Sequence, residues 1–262
     1  MTTDFKENNT WEHKGKVEIR KIIDNDNFPC IFGKKASKNN TIQWLFCESS
    51  DNQKSSFLRG VIEYTNFIKA TLPEERLLYP LIAVIQNDAK NLKEEHEIAW
   101  EFIQYLIDNE PKQWPLDVPQ DPNNHEWCAR FNEVQLFINI SSSKHLKYKS
   151  RNLGSNICLV INPRQIFDVV APLNKVKGIK IREKIRERVE TYNGFPAPKE
   201  LGFFGDKNNL EWKQYQLYEQ GGLENTKCPL HIHSVNCSNP GCFRYSFSIL
   251  LLPVSGRDTF SP

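Results

Sequence analysis

Hydrophobic positions along this chain change period several times, and each period predicts a different element of secondary structure. Residues 79–86 are a continuous apolar run, which is typical of a strand buried on both faces. Between Phe57 and Ile68 the apolar residues recur at helical spacing, with Ser55 or Ser56 as the predicted N-cap. The same reading predicts further strands at 43–48, 126–130, 135–140 and 157–161, and helices at 92–109, 164–170 and 178–192.

The order of these elements predicts a single domain. Strands alternate with helices in the first half and then follow one another, so we expect an α+β or α/β domain in which helices flank a central mixed sheet. Changes in composition predict a polar N-terminal segment at 1–16, the domain at 17–230 and a C-terminal tail at 231–262. The apolar run 249–254 in that tail is expected to pack against the domain or against a second chain, so a homodimer is one expectation.

Composition narrows the classes of function. The 262 residues carry a formal net charge of +2, which gives no electrostatic argument for a nucleic-acid partner. No apolar run reaches the roughly 18 residues of a membrane-spanning helix, and the N-terminus lacks the apolar core of a signal peptide. The seven cysteines are an odd number and sit mostly alone in apolar segments, unlike a secreted disulfide framework. We therefore predict a cytoplasmic protein with no membrane partner.

One cysteine stands in a distinctive local sequence. Pro29 precedes Cys30, fixes its own φ and so presets the approach to the thiol, while Gly33 allows a sharp turn or a close ligand. A thiol held in this way can serve as a metal ligand or a nucleophile if its pKa is lowered. The alternative is a small buried hydrophobe, which is the usual role of a free cysteine. The full hexapeptide is Phe28-Pro29-Cys30-Ile31-Phe32-Gly33.

A basic loop at 144–154 lies between two apolar strands and is followed by Arg164. Guanidinium groups bind carboxylates in bidentate geometry, so Arg151 and Arg164 are candidates to hold an acidic group of a ligand, with His145 or Lys149 nearby. The alternative is a solvated loop whose positive charge has no ligand.

Two tryptophans and nearby acidic residues form a second candidate site. Trp114, Asp117, Asp121, His125 and Trp127 lie within fourteen residues of one another. Aromatic walls with embedded carboxylates suit a cationic ligand such as a guanidinium or an ammonium group. Equally, the tryptophans can be core anchors and the aspartates turn formers.

The C-terminal region carries a third, weaker candidate. Cys228, His231, His233, Cys237 and Cys242 have the residue types of a zinc site, but their spacing fits no strong finger pattern. Cys228 also stands beside a proline, which makes it a rival to the earlier cysteine as a metal ligand.

An ordered series of motifs resembles the YqcI/YcgG family, which is marked by a Phe-Pro-Cys sequence. Each motif alone is weak, whereas the ordered set is specific and extends over residues 28–230. The motifs are Phe28-Pro29-Cys30 with Phe32-Gly33, Trp114-Pro115, Asp121-Pro122 with Trp127, Arg151-Asn152-Leu153-Gly154, Asn162-Pro163-Arg164-Gln165-Ile166-Phe167, Arg182-Glu183-Lys184-Ile185-Arg186-Glu187-Arg188, Glu211-Trp212-Lys213-Gln214-Tyr215 and Cys228-Pro229.

The resemblance implies a heme-dependent oxygenase that uses O₂ and an electron donor to hydroxylate a nitrogen of a small amino acid or guanidino compound. It implies heme b as the cofactor and Cys30 as the axial thiolate, a ligand that donates electron density to the iron. The backbone N–H groups of Ile31, Phe32 and Gly33 are expected to hold that sulfur ionised. The expected heme-binding residues are Phe28, Pro29, Cys30, Phe32, Gly33, Tyr148, Arg151, Asn152 and Arg164, and the expected substrate-binding residues are Trp114, Asp117, His125 and Trp127.

Two features leave alternatives open. The same cysteine and basic loop would suffice for a heme-binding sensor or carrier that performs no turnover. Residues 140–143 lack a proline that the resemblance leads us to expect before the basic loop. The tail beyond His231 has no counterpart in the family, so the resemblance implies no role for its cysteines and histidines.

Overall fold

A computed structural model describes residues 10–172, 174–219 and 225–232, so most of the predicted tail lies outside the described residues. Within these ranges a five-stranded sheet carries helices on both faces, and none of the helices is both long and apolar enough to cross a membrane. The elements are α1 (Trp11–Ile23), α2 (Ile31–Lys38), β1 (Gln43–Cys47), α3 (Gln53–Ala70), β2 (Leu81–Ile85), α4 (Leu92–Asp108), β3 (Ala129–Phe131), β4 (Val134–Ser141), a 3₁₀ helix (Lys149–Arg151), β5 (Ile157–Pro163), α5 (Ile166–Val170), α6 (Val176–Asn193) and α7 (Trp212–Tyr215).

The sheet is mixed and has the strand order β1-β2-β5-β4-β3. Strands β1 and β2 are parallel and are connected through α3, whereas the other three strand pairs are antiparallel. All five residues of β2 are buried, in agreement with the apolar run that predicts a central strand. The predicted mixed sheet with flanking helices is therefore confirmed.

The two faces of the sheet are covered by different helices. We call the face that packs against α3 and α4 the core face, and in β2 it receives Leu81, Ala83 and Ile85. We call the opposite face the cavity face, which packs against α1 and α2 and receives Ile82 and Val84. Successive side chains of a strand point to opposite faces, so neighbours in β2 belong to different clusters.

The hairpin of β3 and β4 differs from its prediction. Asn132 and Glu133 have φ values of 48° and 68°, which gives a two-residue turn of the kind that matches the twist of paired strands. Strand β3 begins at Ala129, three residues later than predicted, because the N–H of Trp127 donates to the carbonyl of Asn124 (3.0 Å) in a preceding turn.

The N-terminal helices α1 and α2 are not predicted by the sequence pattern. Helix α1 follows Thr10, whose hydroxyl accepts a hydrogen bond from the N–H of His13 (3.3 Å), and it crosses the predicted boundary between residues 16 and 17. It buries Ile19 and Ile23 on the cavity face, an apolar stripe too narrow to predict a helix. The predicted N-cap of α3 is wrong, since the N-cap position is Asn52, whose side chain makes no capping hydrogen bond.

Helix α6 is rich in charged residues of both signs, a composition that favours ion pairs along a helix. In the described chain no i,i+4 salt bridge lies on α6. Instead, Arg182 donates to the carbonyl of Ala171 (2.7 Å) and Arg186 to that of Leu201 (3.0 Å). Helix α6 is therefore fastened to neighbouring loops through charged donors, which make stronger hydrogen bonds than neutral ones.

Candidate functional site

A cavity of about 260 Å³ lies on the cavity face of the sheet. Strands β2, β4 and β5 form its floor, and its walls come from the Cys30 segment, α5, α6 and the 3₁₀ helix. Most of the lining is apolar. The lining residues are Ile23, Phe28, Pro29, Cys30, Phe32, Gly33, Ile42, Leu77, Leu78, Pro80, Ile82, Phe137, Asn139, Ser141, Ser150, Arg151, Leu153, Val160, Asn162, Ile166, Phe167, Val170, Ile185, Val189, Leu201 and Leu217.

Cys30 is the N-cap of α2, and its sulfur accepts a hydrogen bond from the N–H of Gly33 at 3.3 Å. Burial raises the pKa of the Cys30 thiol, while the backbone hydrogen bonds of Gly33 and Phe32 lower that pKa. The expected contact between the Gly33 N–H and the sulfur is thus present. Gly33, however, lies inside a helix and makes no sharp turn, so that part of the prediction is wrong.

Arg188 of α6 holds the backbone that carries Cys30, a contact that sequence reasoning does not identify. Its guanidinium donates to the carbonyls of Phe28 (2.7 Å) and Asp26 (2.9 Å), and more weakly to that of Pro29 (3.3 Å). These bonds satisfy three carbonyls next to a helix start and fix the approach of the chain to the thiol. No sequence signal separates Arg188 from the other cations of α6.

Arg151 lies on the wall of the same cavity and is 4% exposed. Its two terminal nitrogens donate to the carbonyls of Gln214 (2.7 Å) and Tyr215 (2.9 Å). Among the described residues no carboxylate forms an ion pair with it. Burial lowers the pKa of Arg151, but a guanidinium stays charged in proteins. A buried cation without a counter-ion therefore borders the cavity, and such a charge favours an anionic ligand.

Tyr148 and Asn152, expected to bind heme, do not line the cavity and instead shape the loop beside Arg151. Asn152 donates to the carbonyls of Ser143 (3.0 Å) and His145 (3.1 Å), and Tyr148 packs edge-to-face on Phe195. The loop is therefore held by internal hydrogen bonds and by aromatic packing.

The same loop buries His145, which excludes a fully solvated loop. Its Nδ1 lies 2.9 Å from a carboxylate oxygen of Glu219, and its Nε2 is buried without a partner in the described part of the chain. Burial lowers the pKa of His145, while Glu219 raises it. His145 does not line the cavity.

Polar residues on the cavity floor are missed by sequence reasoning. Asn139 and Ser141 of β4 and Asn162 of β5 line the cavity between apolar neighbours. In the sequence these residues appear as polar positions that alternate with apolar ones. The same pattern is found in any strand with one face in solvent, so it does not indicate a binding site. Only the tertiary structure shows that this face is covered.

Arg164 lies in a smaller neighbouring cavity, of about 90 Å³, which shares Phe137 and Phe167 with the larger one. The structure therefore separates the two arginines of the predicted carboxylate clamp. Arg151 borders the larger cavity and Arg164 the smaller.

The four expected substrate-binding residues do not line the larger cavity. Trp114 and Trp127 belong to the cluster on the core face, where Trp127 is fully buried. Asp117 is exposed, and His125 is half-buried with no partner for its Nδ1 among the residues that the structure describes. The core-anchor interpretation of the two tryptophans agrees with their positions, and a substrate contact of these residues stays a prediction.

Cys228, the rival ligand, packs against the core-face cluster and does not line the cavity, and burial raises its pKa to about 11. In the part of the chain that the structure describes, no group of three or more His, Cys, Asp or Glu residues could hold a metal ion. His233, Cys237 and Cys242 lie outside the described residues.

The chain belongs to the YqcI/YcgG family, whose sequence profile matches residues 19–231. It is 33% identical over 225 residues, 84% of each chain, to DcsA of Streptomyces lavendulae, which is named as a proposed N(omega)-hydroxy-L-arginine synthase. It is 29% identical to YqcI of Bacillus subtilis (strain 168), over 80% of this chain and 83% of that protein, and 28% identical to YcgG of the same strain, over 79% and 81%. Both are described as uncharacterized. No solved structure gives a significant match.

Proposed function

We propose that this protein is a heme-dependent enzyme that hydroxylates a nitrogen of an arginine-like substrate, with heme b bound in the cavity of about 260 Å³. The similarity to a protein named as a proposed N(omega)-hydroxy-L-arginine synthase, at 33% identity over most of both chains, supports the reaction and the substrate class. The observation that carries the proposal is that one apolar cavity is bordered by Cys30 and by the buried Arg151, which has no counter-ion among the described residues.

The residues of this cavity fit heme by their chemistry. A macrocycle needs apolar walls, its iron needs a basic axial ligand, and its propionates need cations. The cavity offers an apolar lining, the thiol of Cys30 and the guanidinium of Arg151. When bound, the heme supplies the activation of O₂. Overall, one oxygen atom enters an N–H bond of the substrate, and the other is reduced to water by two electrons from a donor and two protons.

Each of these residues has a defined task in the proposed reaction. The N–H of Gly33 donates to the sulfur of Cys30 and stabilises its thiolate, which burial alone would disfavour. Arg188 holds the carbonyls before Cys30 and keeps the sulfur aimed at the cavity. Arg151 would pair with a propionate, which would neutralise its buried charge. The apolar walls exclude water, which strengthens these electrostatic contacts.

The test is an absorption spectrum of the purified protein, reduced and exposed to carbon monoxide, for Cys30→Ser beside the matched control Cys228→Ser. Both thiols are partly buried, but only Cys30 lines the cavity. We expect Cys30→Ser to lose the thiolate-type band and to remain folded by circular dichroism, while Cys228→Ser keeps the band.

An unchanged spectrum in Cys30→Ser, or a loss in Cys228→Ser alone, would contradict the assignment of the ligand. Product analysis with L-arginine, O₂ and a chemical reductant completes the test. A heme protein that forms no N-hydroxylated product from guanidino compounds would be a sensor or carrier, and the proposed reaction would be wrong.

A further inference from the structure

The cavity of about 90 Å³ differs in chemistry from its larger neighbour. Both are bordered by Phe137 and Phe167, whose rings meet edge-to-face with centroids 5.1 Å apart. The larger cavity is mostly apolar, whereas four charged side chains line the smaller one, too small for a macrocycle and suited to a compact polar group. These side chains are Arg164, Asp168, Arg182 and Glu211.

Arg164 carries an unused donor in this cavity. The residue is 9% exposed, its guanidinium lies 4.1 Å from the centre of the Phe204 ring, and one terminal nitrogen pairs with Asp168. Its Nε is buried and has no hydrogen-bond partner among the described residues. A buried donor without a partner is unfavourable, and an acceptor oxygen of a ligand would satisfy it.

Glu211 lines the same cavity and is the acidic counterpart of Arg164. It is 3% exposed, accepts one hydrogen bond from the side chain of Gln214 (3.0 Å) and forms no ion pair with any described residue. The pKa of Glu211 is raised to about 7, because burial outweighs the opposing effect of the positive charges of Arg164 and Arg182. A cation placed beside this carboxyl would favour its ionised form.

We propose that the smaller cavity binds the α-carboxylate and the α-ammonium group of an amino-acid substrate. The carboxylate accepts hydrogen bonds from Arg164 and Arg182, and the ammonium donates to Glu211. A zwitterion satisfies the free donor and the unpaired carboxyl together, whereas a simple anion or a simple cation satisfies one of them. The substrate side chain then extends past Phe137 and Phe167 into the cavity that Cys30 borders. This inference rests on the proposed function, which puts the reacting nitrogen at the far end of the side chain.

The test compares two ligands that differ only in the α-amino group, L-arginine and 5-guanidinopentanoic acid. Their dissociation constants are measured by calorimetry on the full-length, heme-loaded protein, for wild type, Glu211→Gln and the matched control Glu183→Gln, an exposed residue of α6. We expect Glu211→Gln to weaken L-arginine binding about ten-fold, the usual cost of a lost charged hydrogen bond, and to leave 5-guanidinopentanoic acid unchanged. The control should bind both ligands as wild type does.

A second measurement needs no variant. In wild type, L-arginine should bind more weakly as the pH falls from 8 to 6, because Glu211 takes up a proton in the field of Arg164, Arg182 and Asp168. Binding of 5-guanidinopentanoic acid should change little over this range.

Equal losses for both ligands would mean that the guanidinium, rather than the α-ammonium, meets Glu211, and the proposal would be wrong. Unchanged L-arginine affinity in a folded Glu211→Gln variant would overturn it as well. Turnover of L-arginine by wild type together with that result would leave the proposed function standing. Conversely, the expected binding pattern without any hydroxylated product would reject the reaction and keep the subsite.

Discussion

The core face and the cavity face belong to the same strands, yet one is filled with side chains and the other encloses a space. On the core face large aromatic residues such as Trp127 and Tyr215 are fully buried. The hydroxyl of Tyr215 both accepts from the N–H of Ala129 (3.0 Å) and donates to the carbonyl of Leu136 (3.0 Å), so its polar atom is satisfied. On the cavity face, by contrast, Arg151, Asn139 and Asn162 border a space of about 260 Å³.

This contrast indicates a division of labour between stability and chemistry. Apolar burial and close packing on a filled face stabilise the fold, whereas a face with a cavity and charged borders contributes less to stability. Mutations on the two faces should therefore separate loss of folding from loss of ligand binding.

The largest expected effect is on the core face. Trp127→Ala removes a fully buried ring and should lower the free energy of unfolding by about 3–5 kcal/mol, the range for aromatic truncations in cores. Urea denaturation gives the value. Trp44→Ala on the edge strand β1 is the control, and its half-buried ring should cost much less. If the two variants lost similar amounts of unfolding free energy, the core face would be no more important for stability than the edge of the sheet, and the prediction would be wrong.

A smaller effect concerns the charged border of the cavity face. Burial holds the pKa of Glu211 near 7 in the folded protein, above its usual value of 4.5. Between these pH values the folded state binds more protons than the unfolded state. The contribution of Glu211 to the free energy of unfolding therefore falls as the pH rises, by about 3 kcal/mol in total.

Denaturation of wild type and Glu211→Gln at pH 4.5 to 8 measures this contribution as the difference between the two curves. As the pH rises through this window, the free energy of unfolding of the variant should increase relative to that of wild type. A constant difference across the window would show that Glu211 titrates normally.

The smallest expected effect is on ligand affinity. Arg151→Ala should weaken heme binding by about 1.5–3 kcal/mol, the range for hydrogen bonds to charged groups. Heme titration followed by absorbance measures the change. Lys149→Ala, an exposed cation in the same 3₁₀ helix, is the control and should bind as wild type does. Unaltered heme affinity in Arg151→Ala would exclude it from the heme site.

Elements with a strong period were predictable, and elements whose burial depends on distant partners were not. The apolar run 79–86 predicts β2, and the helical spacing after residue 92 predicts α4, which begins at Leu92 as expected. Helix α1 was not predicted because it buries little beyond Ile19 and Ile23, and α2 was not predicted because it has only eight residues. Similarly, the backbone contacts of α6 were not predictable, since no local pattern shows that Arg188 meets carbonyls about 160 positions earlier.

For the site, the sequence by itself determined that Cys30 follows a rigid proline and that the ordered motifs belong to one family, because both are properties of neighbouring residues and their order. It also marked Arg151 and Arg164 as candidate carboxylate ligands. Only the tertiary structure decided that Arg151 shares a cavity with Cys30, that Arg164 borders a second cavity with Glu211, and that Trp114 and Trp127 belong to the opposite face. The physical reason is that burial and electrostatic pairing depend on which surfaces meet. That is set by strand pairing and helix packing between residues far apart in the chain.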